Sequence, residues 1–528
     1  MRKLPIGIQS FEKLIEDEYL YIDKTGYIHD LVTSGTTYFL SRPRRFGKSL
    51  FVSTLQAYFE GKKDLFEGLE IAGEEERKPA EDQWVSYPVL HFDFTGGEYR
   101  SAEGLSNVLG NILMNAEQRY GIEPGDGLDL PIRFSNLLDQ LYVKTGKRAV
   151  VLADEYDKPL LDTMEQDPGQ EEENRELFGD FFAVLKKQDR HLKFVFITGV
   201  TKFSKVSIFS DLNQLEDISL DVAYGAICGI TKEELEKNLR GEIAASACQN
   251  NISYEMCLKE LRDNYDGYHF SEELEDVYNP FSILNALKKK DFNRYWFETG
   301  TPTFLVRKLE RSGLPVQDFT DGVSVTRDQM MNFRADDTDL IPLFYQSGYL
   351  TIKGFDRTFR EYTLSFPNEE VKYGFFEAIV PMINAAYAGS TGAAGFSAGR
   401  MVRSLRNGDV DDFMQMLQAL LASIPYYEGR APQNEQQWRN LVYAVFSLLG
   451  QYVRTEVHSA RGRSDCLMET NRILYVFEFK QDGTAEEALS QIDEKGYALP
   501  YQSTGKEIVK IGANFSTQKK TLDDWKIE

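Results

Sequence analysis

An apolar segment leads directly into a basic loop in the stretch Thr37-Tyr38-Phe39-Leu40-Ser41-Arg42-Pro43-Arg44-Arg45-Phe46-Gly47-Lys48-Ser49. Residues 37–41 predict a short β-strand, and residues 49–59 have the apolar spacing of a helix. The amino-terminal end of a helix presents unpaired backbone N–H groups and the positive end of its dipole, and both suit phosphate. The stretch therefore predicts a strand, a phosphate-binding loop and a helix, in that order.

The loop contains the residue types that bind the phosphates of a nucleotide. Gly47 would let the backbone approach closely, Lys48 would reach the terminal phosphates and Ser49 would bind magnesium. The full pattern for such a loop is GxxxxGK[ST], and Arg42 stands where the first glycine is expected. ATP and Mg²⁺ are the predicted cofactors. The residues predicted to contact them here are Arg44, Arg45, Phe46, Gly47, Lys48, Ser49 and Leu50.

An acidic pair follows a second apolar segment. Residues 149–153 are apolar and lead into Asp154 and Glu155. A carboxylate at the carboxyl end of a buried parallel strand lies at the edge of the sheet where ligands bind. Asp154 would hold magnesium, and Glu155 would be the catalytic residue that polarises the attacking water. The alternative is a strand that ends in a solvated acidic turn.

Polar residues also end the next apolar segment, at residues 194–198. Thr198 or Thr201 would contact the terminal phosphate, with Thr198 as the preferred candidate. The alternative is that either threonine only caps the end of a strand.

Apolar segments at residues 37–41, 88–94, 149–154 and 194–198 alternate with helical patterns. Continuous apolar strands separated by helices predict a parallel sheet covered on both faces. The strand at 89–94, between the two motifs, fits the branch of P-loop ATPases that inserts a strand there. Acidic stretches at 74–78 and 165–173 interrupt the pattern and are predicted as exposed loops.

Composition narrows the classes of protein that this chain can belong to. The 528 residues are 42% hydrophobic and 27% charged, the balance of a folded protein with several domains. A net charge of −23 argues against non-specific binding of nucleic acid over the whole surface. Any nucleic-acid contact should therefore be confined to a local site and be sensitive to salt. Four scattered cysteines and the lack of a signal peptide or a long apolar run predict a cytoplasmic protein without membrane contact.

Several motifs together resemble those of bacterial AAA-ATPase-like proteins, which usually carry a C-terminal PD-(D/E)xK nuclease-like domain. In that family an RPRRFGKS loop is the usual form, so Arg42 departs from the general pattern but not from the relatives. The resemblance implies a P-loop ATPase sheet with a helical or winged-helix lid and a restriction-endonuclease-like α/β domain. The motifs that carry it are at residues 4–11, 21–25, 41–50, 154–159, 198–204, 209–213, 265–268, 278–282 and 295–300.

The C-terminal region contains the residues of a metal-dependent nuclease site. In the strand-like run 475–480, Glu478 and Lys480 share one face because side chains alternate along a strand. Asp465 precedes this run, and Asp465 and Glu478 are the predicted metal ligands, since magnesium prefers hard oxygen donors. The alternative is a solvated strand face with an ordinary ion pair.

Further residues complete the predicted nuclease site. Glu435 could add a carboxylate, and Gln491 resembles a residue of the family's supporting helix. Arg461 and Arg463 could contact phosphate, or they could be surface arginines that balance an acidic chain. The predicted catalytic residues of this domain are Glu435, Asp465, Glu478, Lys480 and Gln491.

The sequence thus predicts an ATP-binding switch protein coupled to a magnesium-dependent nuclease-like domain. Its substrate would be DNA rather than RNA, and assembly into a homo-oligomer is left open. One alternative is a regulatory or defence-type ATPase whose nuclease fold only binds; another is a nucleotide sensor that does not hydrolyse ATP. The predicted domains are the ATPase at 1–222, the lid at 223–355, a helical connector at 356–425 and the nuclease-like domain at 426–528.

Overall fold

The chain forms two compact units in the computed structural model. The first comprises Met1–Thr299 and Val323–Glu370, and the second Gly300–Gly322 and Val371–Glu528. Among the described residues, no helix combines the length and the hydropathy that crossing a membrane requires. The described residues are 3–101, 103–125, 127–164, 168–202, 214–296, 318–331, 340–385, 397–422, 442–450, 454–457, 466–519 and 521–528.

A five-stranded parallel sheet forms the centre of the first unit. Its strand order is β2-β3-β4-β1-β5, so the strand of the phosphate loop and the acidic strand lie on either side of β4. Every residue of β1 and β3 is buried, as the continuous apolar runs predicted. The strands are β1 (Thr37–Ser41), β2 (Val89–Asp93), β3 (Ala149–Asp154), β4 (Leu192–Gly199) and β5 (Glu216–Asp217).

Helices surround this sheet, and they extend into both acidic stretches predicted as loops. Helix α4 runs to Glu76 because the Glu75 carboxylate is buried and accepts a 2.7 Å hydrogen bond from the Tyr58 hydroxyl. Helix α8 begins at Pro168, and Glu171 in its first turn suits the positive end of the helix dipole. The helices are α1 (Phe11–Glu16), α2 (Thr25–Ser34), α3 (Lys48–Phe59), α4 (Glu70–Glu76), α5 (Gly104–Tyr120), α6 (Leu130–Thr145), α7 (Lys158–Leu161) and α8 (Pro168–Lys187).

The rest of the first unit combines helices with short antiparallel strands. Helix α11 begins as predicted, because Asn279 caps it by accepting from the backbone N–H groups of Phe281 and Ser282, and Pro280 occupies the first turn. The helices after β5 are α9 (Lys232–Gln249), α10 (Tyr254–Tyr265), α11 (Pro280–Lys289), α12 (Asp318–Asp321, in the second unit), α13 (Arg327–Met331) and α14 (Ile341–Gln346). The strands are β6 (Ile230–Thr231), β7 (Val277–Tyr278), β8 (Val323–Thr326), β9 (Thr351–Asp356) and β10 (Glu361–Ser365).

The segment predicted as a helical connector, residues 356–425, begins with β-strand residues and not with a helix. Its boundary at 355/356 falls inside β9, and β10 pairs with both β9 and β8 in a three-stranded antiparallel sheet. Alternation explains the difference, since Tyr362 and Leu364 are buried while Thr363 is exposed. The strand therefore belongs to the first unit, and the helices of the predicted connector begin with α15 (Glu369–Ala385).

The second unit has a mixed sheet in the order β11-β12-β13-β14-β15. Strands β13 and β14 are parallel, and α18 connects them, while the other pairs are antiparallel. The strands are β11 (Arg454–Val457), β12 (Cys466–Glu469), β13 (Ile473–Gln481), β14 (Glu507–Ser516) and β15 (Thr521–Ile527). The helices are α16 (Ala398–Asn407), α17 (Val410–Ala422) and α18 (Ala485–Lys495), with a further helix over residues 442–449.

A buried ion pair joins α5 to α6 in the first unit. Arg133 Nε and Nη2 donate to the two carboxylate oxygens of Glu117 at 2.8 and 2.5 Å, and Glu117 is 2% exposed. This pairing holds the pKa of Glu117 below its ordinary value, although burial acts in the opposite direction. The pair thus stabilises the fold fully above the unfolded-state pKa of about 4.3, and the stabilisation is lost as pH falls through the lowered folded-state value.

Substitution of Arg133 by methionine should destabilise the first unit by about 3 kcal/mol at pH 7, because a buried carboxylate loses its partner. The loss should shrink at acid pH, where Glu117 is protonated in the variant. Urea denaturation of the full chain at pH 7 and pH 4 measures both effects. The double variant Glu117→Gln, Arg133→Met should recover most of the loss, and a double variant as unstable as the single one would contradict this explanation.

Candidate functional sites

The predicted phosphate loop connects β1 to α3 through two left-handed residues. Arg45 has a φ of 68° and Gly47, the residue that caps α3, a φ of 99°. A Cβ added at Gly47 would meet nothing within 4 Å, so glycine is needed here for its backbone conformation and not for lack of space. The turn allows α3 to begin at Lys48, directly after the loop.

Arg42 explains how the loop is held without its first glycine. Its side chain is 1% exposed and donates to the carbonyls of Ser41, Ser219 and Tyr224 at 2.8–2.9 Å. The guanidinium also stacks on the ring of Phe270 at 4.2 Å. The sequence suggested an irregular loop at Arg42, whereas the structure makes this residue the anchor between the loop and the segment after β5.

Lys48 is folded back onto the loop. Its amine donates to the carbonyls of Arg42 and Pro43 at 2.9 and 3.0 Å, and the residue is 5% exposed. Burial lowers the pKa of Lys48, and the carboxylates of Asp154 and Glu155 partly oppose this shift. Among the described residues its hydrogen-bond acceptors are neutral carbonyls, and such a buried cation is well suited to an incoming anion, since charge-assisted hydrogen bonds are the stronger kind.

Asp154 lies at the carboxyl end of β3, opposite α3. Its carboxyl is 3% exposed, and burial raises its pKa, while the nearby Ser49 hydroxyl and the Lys48 amine lower it. Oδ1 has no hydrogen-bond partner among the described residues. Ser49 and Asp154 line a cavity of about 280 Å³ together with Ser53, His91 and Asp93.

The residues of this cavity fit a hard divalent cation in part. A buried carboxylate oxygen without a partner and a hydroxyl are both ligands that Mg²⁺ accepts. Within the described ranges, no group of three histidine, cysteine or acidic side chains is arranged to hold a metal. Ser49 and Asp154 would therefore hold Mg²⁺ only together with nucleotide oxygens and water, as is usual for this ion.

Glu155 follows Asp154 in a left-handed conformation, with a φ of 51°. Burial raises the pKa of its carboxyl, and the Lys48 amine acts in the opposite direction. A raised pKa brings a carboxylate closer to the range in which it accepts a proton efficiently. Its assignment as the catalytic base stays a prediction.

The two threonines after β4 bond to protein groups. The Thr198 hydroxyl donates to the carbonyl of Leu40 at 2.8 Å, and the Thr201 hydroxyl donates to Asp157 at 2.7 Å. Both residues are buried. Asp157, which the sequence reasoning missed, also accepts from the backbone N–H groups of Val200 and Thr201. A contact between Thr198 and phosphate stays a prediction, and the observed hydrogen bond gives this hydroxyl a structural role.

An apolar pocket lies beside Gly47. It is formed by four segments that are distant in sequence: residues 5–24, the loop and α3, residues 227–230, and the start of α11. Leu50 and Phe46 line it, and Phe46 also packs edge-to-face on Tyr268 at 4.8 Å. A contact of either residue with the nucleotide stays a prediction. A mostly apolar recess next to a phosphate loop suits a planar base.

Arg44 and Arg45 are exposed at the tip of the loop. The guanidinium of Arg45 lies 4.0 Å from the ring centroid of Phe281, at the start of α11. The carbonyl of Arg44 accepts a hydrogen bond of 3.3 Å from the indole of Trp296.

In the second unit, β13 and α18 bring three of the predicted nuclease residues together. Glu478 and Lys480 lie on one face of β13, while Phe477 and Phe479 pack against Phe446 on the other. The Gln491 amide, on α18, donates to Glu478 and accepts from the Lys480 amine. Glu478 is 3% exposed. Glu435, Asp465, Arg461 and Arg463 lie outside the described residues.

Close packing of α18 on β14 makes this arrangement possible. Gly512 pairs with Glu478, and a Cβ on Gly512 would lie 2.4 Å from the carbonyl oxygen of Ala485. Asn514 pairs with Lys480 and accepts a 2.8 Å hydrogen bond from the backbone N–H of Gly483, in the turn before α18. Sequence reasoning missed Gly512 and Asn514, and the only signal for them was their two-residue spacing in an apolar run.

Comparison with known proteins finds a family model over each of the two regions that contain these residues. The family model described as "Predicted AAA-ATPase" matches residues 5–209, and that of the PD-(D/E)XK nuclease superfamily matches residues 433–525. An uncharacterized protein in the vnfD 5' region of Azotobacter chroococcum mcd 1 is 37% identical over 540 residues, covering 100% of this chain and 99% of the relative.

Two solved structures also match, at 11% identity and a TM-score of 0.23 each. They are Cdc6p from Pyrobaculum aerophilum, which covers 71% of this chain and 93% of its own, and the Aeropyrum pernix Orc1 protein in complex with DNA, which covers 67% and 91%.

Proposed function

Because the chain belongs to the family of predicted AAA-ATPase-like proteins with a C-terminal PD-(D/E)XK nuclease superfamily domain, we propose that it is an ATP-driven switch that controls a magnesium-dependent nuclease. Its substrate is nucleic acid, and DNA rather than RNA. The observation that carries the proposal is the buried Lys48 amine on neutral loop carbonyls, near Asp154, whose Oδ1 has no hydrogen-bond partner in the described part of the chain. We also propose an ATPase domain at 1–222 and a nuclease-like domain at 426–528, with the region between them divided after Glu370, where the first unit ends.

At the first site, the residues of the chain bind and orient the nucleotide. Lys48 exchanges the carbonyls of Arg42 and Pro43 for phosphate oxygens, and the apolar pocket beside Gly47 takes the base. Ser49 and Asp154 hold Mg²⁺, which neutralises charge on the phosphates when it is bound. Glu155 accepts the proton of the attacking water.

At the second site, Glu478 holds the metal together with Asp465. The Lys480 amine stabilises the attacking water and the charge that develops on the phosphate. Gln491 bonds to both Glu478 and Lys480 and keeps the two side chains at a fixed separation. Glu435 supplies a further carboxylate.

The metal dependence of ATP binding tests the first site. The variant Asp154→Asn should bind ATP without the gain in affinity that Mg²⁺ provides, because an amide oxygen is a weaker ligand than a carboxylate. Isothermal titration of ATP with and without Mg²⁺ measures this gain. Asp189→Asn is the matched control, since Asp189 is exposed in the short turn that directly precedes β4, whereas Asp154 lies at the carboxyl end of its strand. Equal Mg²⁺ gains in wild type and Asp154→Asn would contradict the assignment.

Cleavage assays on the wild-type protein test the second site. Plasmid DNA, single-stranded DNA and RNA are incubated with Mg²⁺ or Mn²⁺, with and without ATP. We expect metal-dependent cleavage of DNA that changes when ATP is added. If none of the substrates is cut under any condition, the nuclease assignment fails, and a domain that only binds becomes the better explanation.

A further inference from the structure

The phosphate loop has a hydrogen-bond donor that belongs neither to the loop nor to the central sheet. The indole Nε1 of Trp296 donates to the carbonyl of Arg44 at 3.3 Å. Trp296 is 8% exposed, and its ring packs edge-to-face on Tyr349 with a centroid separation of 5.2 Å. Packing against Tyr349 therefore holds the indole in place, and its N–H group donates to the loop from a distant segment of the chain.

The backbone of Trp296 is held in turn by a buried carboxylate. Glu370 Oε1 accepts from the Trp296 N–H at 2.8 Å, and Glu370 is 1% exposed. Burial raises the pKa of Glu370 to about 7, while the nearby Trp296 N–H, Ser282 hydroxyl and Tyr295 N–H groups act in the opposite direction. Glu370 is the second residue of α15, so Trp296 connects the first turn of this helix to the loop.

A second contact fixes the adjacent loop residue. Gly348 has a φ of 91°, and a Cβ at this position would lie 2.7 Å from the Cβ of Pro43. The Tyr268 hydroxyl donates to the Gly348 carbonyl at 3.2 Å. Pro43 and Arg44 are thus held from the same side, by the turn after α14 and by Trp296.

We propose that Trp296 and Glu370 are positioning residues that set the geometry of the phosphate loop and link its occupancy to the first turn of α15. This inference rests on the proposed nucleotide site. The Lys48 amine bonds the carbonyls of Arg42 and Pro43, next to the carbonyl that Trp296 holds. When phosphate draws the amine away, the loop changes at these carbonyls, and the Trp296 hydrogen bond carries that change to Glu370.

Glu370 lies at a boundary between the two units of the chain. The first unit ends at Glu370, and α15 continues with residues of the second unit, which contains Glu478 and Lys480. The link thus ends at the point where the chain leaves the nucleotide-binding unit.

Substitution Trp296→Phe removes the N–H donor and keeps an aromatic ring against Tyr349. Loss of one hydrogen bond should weaken ATP binding about fivefold. It should also speed amide hydrogen exchange in the loop peptide of nucleotide-free protein, a readout that needs no ligand. Trp84→Phe is the matched control, because Trp84 lies in the same unit but packs on Phe66 and Tyr58.

Two substitutions at Glu370 separate positioning from general destabilisation. Glu370→Gln keeps an oxygen that accepts from the Trp296 N–H and should bind ATP like wild type, whereas Glu370→Ala should match Trp296→Phe. Because both residues act on one contact, the double variant Trp296→Phe, Glu370→Ala should bind no more weakly than Glu370→Ala alone.

ATP binding by the wild type separates a failure of this inference from a failure of the proposed function. If wild type binds ATP and Trp296→Phe behaves like Trp84→Phe in both affinity and exchange, the inference is wrong and the nucleotide site stands. Affinity losses that add in the double variant would also overturn it. If wild type does not bind ATP, the proposed function is wrong, and the inference falls with it.

Discussion

Substitution of Lys48 by alanine should weaken ATP binding by roughly 100-fold, about 2.7 kcal/mol, and abolish turnover. The amine is buried and donates to two neutral carbonyls, so it is available for charge-assisted hydrogen bonds to phosphate, each worth about 1.5–3 kcal/mol. The variant also removes the positive charge beside Asp154 and Glu155, so an anionic ligand meets less attraction at this site.

Isothermal titration and a phosphate-release assay measure the two effects of Lys48→Ala. Lys193→Ala is the matched control, because Lys193 lies near the start of β4, whereas the phosphate loop lies at the carboxyl ends of the strands. The free energy of unfolding without nucleotide should change little. The variant loses the hydrogen bonds of the Lys48 amine, but it also loses the cost of burying a charged group. ATP turnover that survives in Lys48→Ala would rule out this site as the place of hydrolysis.

Substitution of Lys480 by alanine should reduce cleavage of nucleic acid by at least about 1,000-fold, in the range expected for loss of a group that acts on the transition state. Lys480 shares a strand face with Glu478, and Gln491 bonds to both. Without the amine, Gln491 can still donate to Glu478, so metal binding should be retained while the chemical step is lost.

The initial rate of plasmid nicking measures this loss, and circular dichroism verifies that the variant is folded. Lys506→Ala is the matched control, since Lys506 precedes β14 and pairs with Glu469, away from Glu478. Cleavage by Lys480→Ala at the rate of the control would show that this face of β13 is not the catalytic one. ATP binding should be unaffected in both variants.

The predictions that the structure confirms came from local patterns in the sequence. The parallel sheet followed from apolar runs separated by helices, and all residues of β1 and β3 are buried as these runs required. The shared face of Glu478 and Lys480 followed from the two-residue period of a strand. Each of these inferences needs only residues within one element, which is why composition and spacing were sufficient.

Other features depend on contacts between distant segments. The apolar pocket beside Gly47 joins four stretches between residues 5 and 284, and no local pattern marks them as neighbours. Strand β10 was predicted within a helical connector because its alternation spans only a few residues. The hydrogen bond from the Thr198 hydroxyl to the carbonyl of Leu40 depends on the pairing of β1 with β4, which the sequence did not indicate.

Spacing in the sequence was sufficient for the apolar strands of the parallel sheet, for the turn from β1 into α3 and for the strand face that Glu478 and Lys480 share. These depend on the periodicity of side chains and on the backbone freedom of single residues such as Gly47. Two contacts required the folded chain: Arg42 donates to the carbonyls of Ser219 and Tyr224, and Trp296 donates to the carbonyl of Arg44. A buried donor must find an acceptor, and which acceptor it finds depends on how distant segments pack.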